Sequence, residues 1–236
     1  MSTHSELSTL SSSTESSRVQ SVYVYQVPVR LWHWLTMLCM LTLIITGIFI
    51  GTPFITLPGN NMDALLMSYC RFAHFTAGYI FAIAFVGRLV WAFMGNEHAR
   101  QLFLPPIWRG QWWSEVMFEF RWYFFLEDKP KKYIGHNPLA LGMMFFCFVL
   151  GSLFMIATGF ALYSEGAGPG HWSQIVFGWI NPALGGSTNT HNLHRLVMWI
   201  MICFIMVHVY AAVREDIMSR QSIISSMISG HRTFKD

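Results

Sequence analysis

The sequence predicts an all-α integral membrane protein: a four transmembrane helix bundle, both termini cytoplasmic, with an amphipathic helix in the cytoplasmic interface between spans II and III. Three observations predict it. Of 236 residues, 53% are hydrophobic and 11% charged, against about 25% charged in a soluble domain. Four apolar segments, at about 31–51, 72–94, 139–163 and 193–213, each reach the roughly 20 residues that cross a bilayer. The basic residues then alternate between the ends of these segments. The chain has length for four spans and their loops, and none for a second catalytic domain.

Residues 1–20 are rich in Ser and Thr and too poor in apolar side chains to build a core, so they read as a disordered tail, with the membrane domain over 21–236. Span I starts at Leu31 and is followed by no small-residue cleavage site, which marks a span rather than a signal peptide. Arg18 and Arg30 precede span I; Arg100, Arg109, Arg121, Lys129, Lys131 and Lys132 lie between spans II and III; Arg214, Arg220, Arg232 and Lys235 follow span IV. The two other loops hold only Arg71 and Arg195, at span edges. The positive-inside rule therefore puts both termini in the cytoplasm. Within 110–126, Trp113, Val116, Met117, Phe120 and Phe124 share a helical face, with Glu115 and Glu119 elsewhere on the turn, which predicts an interfacial helix resting on membrane lipid. The stretch 166–190, rich in Gly, Pro and Asn, reads as an extracytoplasmic loop with a short surface helix at 171–180. Ile44-Ile45-Thr46-Gly47 is faintly echoed by Ile156-Ala157-Thr158-Gly159, toward the outer ends of spans I and III.

A net charge of +3, scattered among apolar runs, gives no basic face for a nucleic acid. Cys39, Cys70, Cys147 and Cys203 form no CxxC pair and read as small buried hydrophobes.

Ten histidines are an odd companion to this composition, and four of them, His33, His74, His194 and His208, fall inside spans. Ligating residues there are costly and mark function by default. In span IV, His194 and His208 are 14 residues apart, about 21 Å along the axis and within roughly 40° of one face. Span I begins on the cytoplasmic side, so His33 matches His208 in depth; span II begins outside, so His74 matches His194. Two such imidazole pairs, each drawn from two helices, suit two six-coordinate haems. Arg71 precedes His74 by one turn, Arg195 follows His194 and Arg30 precedes His33 by one turn, so each is placed to meet a haem propionate. Arg88, on the His74 face at cytoplasmic depth, can serve the inner haem. The plainer readings are hydrogen-bonding bundle histidines and interfacial arginines; matched depths favour ligands for the histidines, while interfacial anchoring stays ahead for every arginine except Arg88. His191 competes with His194 but sits roughly 100° off the His208 face. His4, His98, His171 and His231 fall in tails or loops. His136 and Asn137, level with the inner pair, are candidates for a quinone head-group, against a helix-start motif in which Pro138 follows Asn137.

The runs Pro28-Val-Arg-Leu-Trp-His33-Trp-Leu, Arg71-Phe-Ala-His74-Phe-Thr-Ala-Gly78, Thr158-Gly-Phe-Ala-Leu-Tyr-Ser-Glu165, His191-Asn-Leu-His194-Arg-Leu and His208-Val-Tyr-Ala-Ala-Val-Arg-Glu-Asp216 together resemble the b-type cytochrome subunit of membrane-bound nickel–iron hydrogenases, over about 22–235. The first is shared with wider bacterial cytochrome b anchors, including those of formate dehydrogenase; the combination points to the hydrogenase branch. The resemblance implies two haems b with axial ligands at His33, His74, His194 and His208. It also implies a periplasmic partner of small and large hydrogenase subunits, electron transfer from an iron–sulfur cluster to quinone, and residence in the bacterial inner membrane. Such a chain is an electron-transfer subunit rather than an enzyme alone.

Rival functions fare worse. An intramembrane metalloprotease needs HExxH, which is absent, and an acidic base within a span. A metal or proton path needs polar residues at intermediate depth, whereas Met198 to Val207 is almost wholly apolar.

Overall fold

The computed structural model describes residues 20–52, 61–131, 133, 136–219 and 222–234. The Ser/Thr-rich residues 1–19, with His4 and Arg18, lie outside the described residues, as do Lys132, Arg220 and Lys235.

Four helices are long and apolar enough to cross a membrane: span I, Val27–Gly51; span II, Ala64–Met94; span III, Pro138–Ala167; and span IV, Ser187–Met218. Each is longer than its apolar run. Hydropathy registers only the part that lipid tails must accept, while the backbone stays helical through the flanking polar layer, as at Ser187-Thr-Asn-Thr and Arg214-Glu-Asp. Large apolar side chains face outward along the spans, with Ile83 71% exposed and Leu38, Leu41 and Ile45 aligned on span I. Thr36, Thr46, Ser152, Thr158 and Thr190 are buried. This arrangement suits lipid as the solvent and small residues as helix–helix contacts.

Spans I and II pack along much of their length, and so do III and IV, whereas I meets IV at few points. A core of Phe85, Leu102, Met144, Phe148, Val149, Met201 and Phe204 joins II, III and IV. Span III contains one π-helical turn, Met144–Val149.

The first and last described segments meet on one side of the bundle, hereafter the near side. A two-stranded antiparallel ribbon, absent from the all-helical expectation, pairs β1 (Gln20–Tyr23) with β2 (His231–Phe234), with Ser21 opposite Thr233. Four-residue strands carry too little alternation to be read against helical neighbours. Gly230, at φ 83°, ends the helix Ile223–Ser229 and turns the chain into β2. A Cβ there would sit 2.7 Å from the Tyr25 carbonyl oxygen, so glycine is required twice over.

The stretch between spans II and III forms the helix Gly110–Tyr123. Trp113, Met117, Phe120 and Phe124 are exposed, the face expected to meet lipid, while the opposite face buries Trp112, Glu119 and Trp122 against the bundle. On the far side, the expected helix at 171–180 is shorter, Trp172–Phe177. His171, read from the sequence as a loop residue, caps it through Nδ1, which accepts from the Ser173 N–H at 3.3 Å. Glu165 ties the following segment to span IV, accepting from Asn181 Nδ2 at 2.7 Å and from Ser187 Oγ at 2.9 Å.

Candidate functional site

Helix direction puts His33 and His208 at the near end, and the structure brings them together with ring centres 6.4 Å apart. Two imidazoles sharing one metal between them need about 6 Å: two bonds of about 2 Å and roughly 1 Å from each nitrogen to its ring centre. Phe204, one turn before His208, stacks on its ring at 5.7 Å, and Phe148 stacks on Phe204 in turn. Trp32 meets Phe148 edge-on.

Buried polar atoms without a protein partner collect in the same elements. They are His33 Nδ1, Trp32 Nε1, Thr36 Oγ1 and, on Arg88, Nε and Nη1. Arg88 is 4% exposed. Its Nη2 donates to the Ala99 carbonyl at 2.7 Å, and its guanidinium lies over the rings of Trp32 and Phe103. A buried cation with two idle donors is costly unless an anion joins it, so the near end fits a group carrying carboxylates.

At the far end, His74 and His194 lie within electrostatic reach of each other. Each ring is held by a threonine from a neighbouring span. Thr46 Oγ1 is 2.9 Å from His74 Nδ1, and Thr158 Oγ1 is 2.7 Å from His194 Nδ1. The following glycines leave room for the rings: a Cβ on Gly47 would lie 3.3 Å from His74 Cε1, and one on Gly159 3.5 Å from His194 Cε1. His191 instead turns back to its own helix, with Nδ1 3.0 Å from the Ser187 carbonyl, and is exposed. Among the described residues no three His, Cys, Asp or Glu side chains gather as a metal cage; His33 and His208 meet as a pair.

The remaining candidates are dispersed. Arg30 Nη1 donates to the Ile228 carbonyl. Arg195 lies beside Gly51 at the far end of span I, and Arg71 is exposed on span II. Asn137 caps span III, its Oδ1 accepting from the Ala140 N–H at 2.7 Å, which is the helix-start role. His136 Nε2 is 3.4 Å from the Tyr25 hydroxyl, and burial, reinforced by Arg232 nearby, pushes this imidazole down to about 3.

A buried cluster at the near end escaped the sequence reading. Arg214 bonds Glu215 at 3.0 Å and the Trp122 carbonyl at 2.9 Å, and Trp122 Nε1 donates to Glu215 at 2.8 Å. Glu119, 2% exposed, lies beside Tyr133. Burial, with the Glu215 carboxylate alongside, pushes its carboxyl up to about 7. The only sequence signal was an acidic residue one turn from Trp122.

A four-span bundle with histidines at both ends and a buried arginine with idle donors fits a membrane cytochrome of the b class. The family model for prokaryotic cytochrome b561 matches residues 24–230, and the chain belongs to that family. It is therefore a multi-pass bacterial membrane protein of electron transfer that carries haem b. Similar proteins include one from Azotobacter vinelandii, 58% identical over 216 residues (92% of this chain, 90% of the relative), with the name "Probable Ni/Fe-hydrogenase B-type cytochrome subunit". A protein of the same name from Cupriavidus necator is 54% identical over 218 residues (92% and 89%). "Probable Ni/Fe-hydrogenase 1 B-type cytochrome subunit" of Escherichia coli K12 is 46% identical over 226 residues (94% of each).

Proposed function

We propose that this chain is the dihaem subunit that anchors a periplasmic nickel–iron hydrogenase, small and large subunits together, to the bacterial inner membrane and passes its electrons to quinone. The observation that carries the reading is the meeting of span histidines from different helices, His33 and His208, with ring centres 6.4 Å apart, while His74 and His194, each held by a threonine, stand at the opposite end of the bundle. The names of the relatives support the hydrogenase partner, and the positive-inside pattern supports a cytoplasmic near side. When bound, haem supplies one-electron relay chemistry at each end of the bundle, from the hydrogenase side to the quinone side.

The chain's own residues do the rest. His74 and His194 would ligate the iron of the outer haem, and His33 and His208 that of the inner. Arg88 neutralises a propionate of the inner haem, with Arg30 at the same end; Arg71 and Arg195 stand at the outer membrane surface. The Phe148–Phe204 stack keeps water from the middle of the bundle. His136, held neutral beside the Tyr25 hydroxyl, offers a hydrogen bond to a quinone carbonyl, with Asn137 adjoining it.

Haem stoichiometry and reduced-minus-oxidised spectra of the purified protein test this. Two haems b per chain are expected, and the variants His208→Ala and His74→Ala should each lose one. His208→Ala should also abolish quinone reduction while the remaining haem is still reduced by the hydrogenase. A wild-type chain holding a single haem, or His208→Ala holding two, would sink the proposal. Copurification of hydrogenase subunits, rather than of another periplasmic oxidoreductase such as formate dehydrogenase, identifies the donor.

A further inference from the structure

We propose that Thr46-Gly47 and Thr158-Gly159 are matched positioning elements that fix the tautomer and seating of His74 and His194, and so hold the outer haem at a lower reduction potential than the inner one. The inference rests on the dihaem reading above. It gives a purpose to the echo between spans I and III.

The hydrogen-bond directions follow from the second contact of each threonine. Thr46 Oγ1 is 2.6 Å from the Thr42 carbonyl and Thr158 Oγ1 is 2.7 Å from the Phe154 carbonyl. A carbonyl only accepts, so each hydroxyl proton is spent on the residue four earlier in its own helix. Oγ1 is left with lone pairs alone for the imidazole, so Nδ1 of His74 and of His194 must be the donor. Nε2 of each ring then carries the free lone pair. Both threonines are buried, Thr158 at 1% exposure. Each glycine clears the ring edge, and the fit is tighter at Gly47, where the Met198 sulfur is also 3.5 Å from the position of a Cβ.

Among the described residues no threonine bonds either ring of the inner pair. His33 Nδ1 is buried with no partner. An imidazole that donates Nδ1–H to an oxygen is a stronger base at Nε2, which favours the more highly charged iron state. Hydrogen bonding to ligands is one of the levers that set a haem potential. Two such bonds at the outer site and none at His33 therefore order the potentials so that an electron moves downhill from outer to inner.

The test uses full-length protein with Thr46→Val, Thr158→Val and the double variant, with Thr46→Ser and Thr158→Ser as conservative partners. Haem stoichiometry, redox titration and electron paramagnetic resonance of the oxidised haems are the readouts, and His208→Ala serves to assign the outer haem. In each valine variant the lower of the two potentials should rise and its resonance shift, further in the double variant, with the inner haem unmoved and serine restoring both. Loss of the outer haem in the valine variants with retention in the serine variants also supports the proposal. Unmoved potentials with both haems present, movement of the inner potential, or equal loss in valine and serine variants would overturn it. Fewer than two haems in the wild type would instead defeat the dihaem reading.

Discussion

Glu119 illustrates what one buried side chain imposes. Its carboxyl is raised to about 7 by burial first and by Glu215 second. A raised acid binds its proton more tightly in the folded state, so its contribution is fully present below the unfolded value near 4.5 and is lost as pH rises through about 7. Thermal unfolding in detergent should therefore show stability falling between those limits, and Glu119→Gln should flatten the slope; an identical slope in the variant would rule this out. The four span histidines were legible in the sequence because depth follows from counting residues along a helix. Glu119, Thr46 and Thr158 were not, because their roles depend on which neighbouring helix each faces, and one helix's periodicity does not carry that information. The echo around Thr46 and Thr158 was visible, but nothing in it named His74 or His194.

At the scale of elements, the helix Gly110–Tyr123 shows why an amphipathic pattern is only half of an account. Its apolar face could be read, but the polar side was expected merely to lie elsewhere on the turn. That side instead carries Glu119 and Trp122 into the bundle, where Arg214 covers Trp122, Tyr123 and Phe125. Arg214→Ala would leave Glu215 buried without its cation, a loss of about 3–5 kcal/mol for broken buried pairs. The expected result is a lower unfolding temperature in detergent and faster proteolysis in 124–131, with haem content at the far site unchanged. Equal proteolysis in variant and wild type would show that the helix is held by its apolar contacts alone. The spans themselves were legible in number and centre. The ends at Gly51 and Met94 were also read, and the start of span III to within a residue; those of span IV were not, since the polar turns at Ser187 and Arg214 extend the helix without adding hydropathy.

For the whole molecule, the β1–β2 ribbon holds Gln20–Tyr23 and His231–Phe234 on one side, and charge counting expects that side to be cytoplasmic. Single cysteines replacing Ser21 and Thr233, in a chain whose native cysteines are replaced by alanine, should both react with an impermeant reagent in inside-out vesicles and not in intact cells. Reaction from opposite sides would contradict the ribbon, and reaction of both from outside would invert the topology. A different long-range relation is set within span III. An α-helix turns about 100° per residue, and a π turn takes up an extra residue and offsets everything beyond it. Asn137 and Thr158 lie on either side of Met144–Val149, so the turn acts as a phase adjuster between two ends with separate angular demands. Deleting one residue there would let the turn close as a regular α-helix with Thr158 kept in phase, whereas deleting one from the α-helical stretch between it and Thr158 would leave a span of nearly the same length and apolarity, yet swing Thr158 about 100° away from His194.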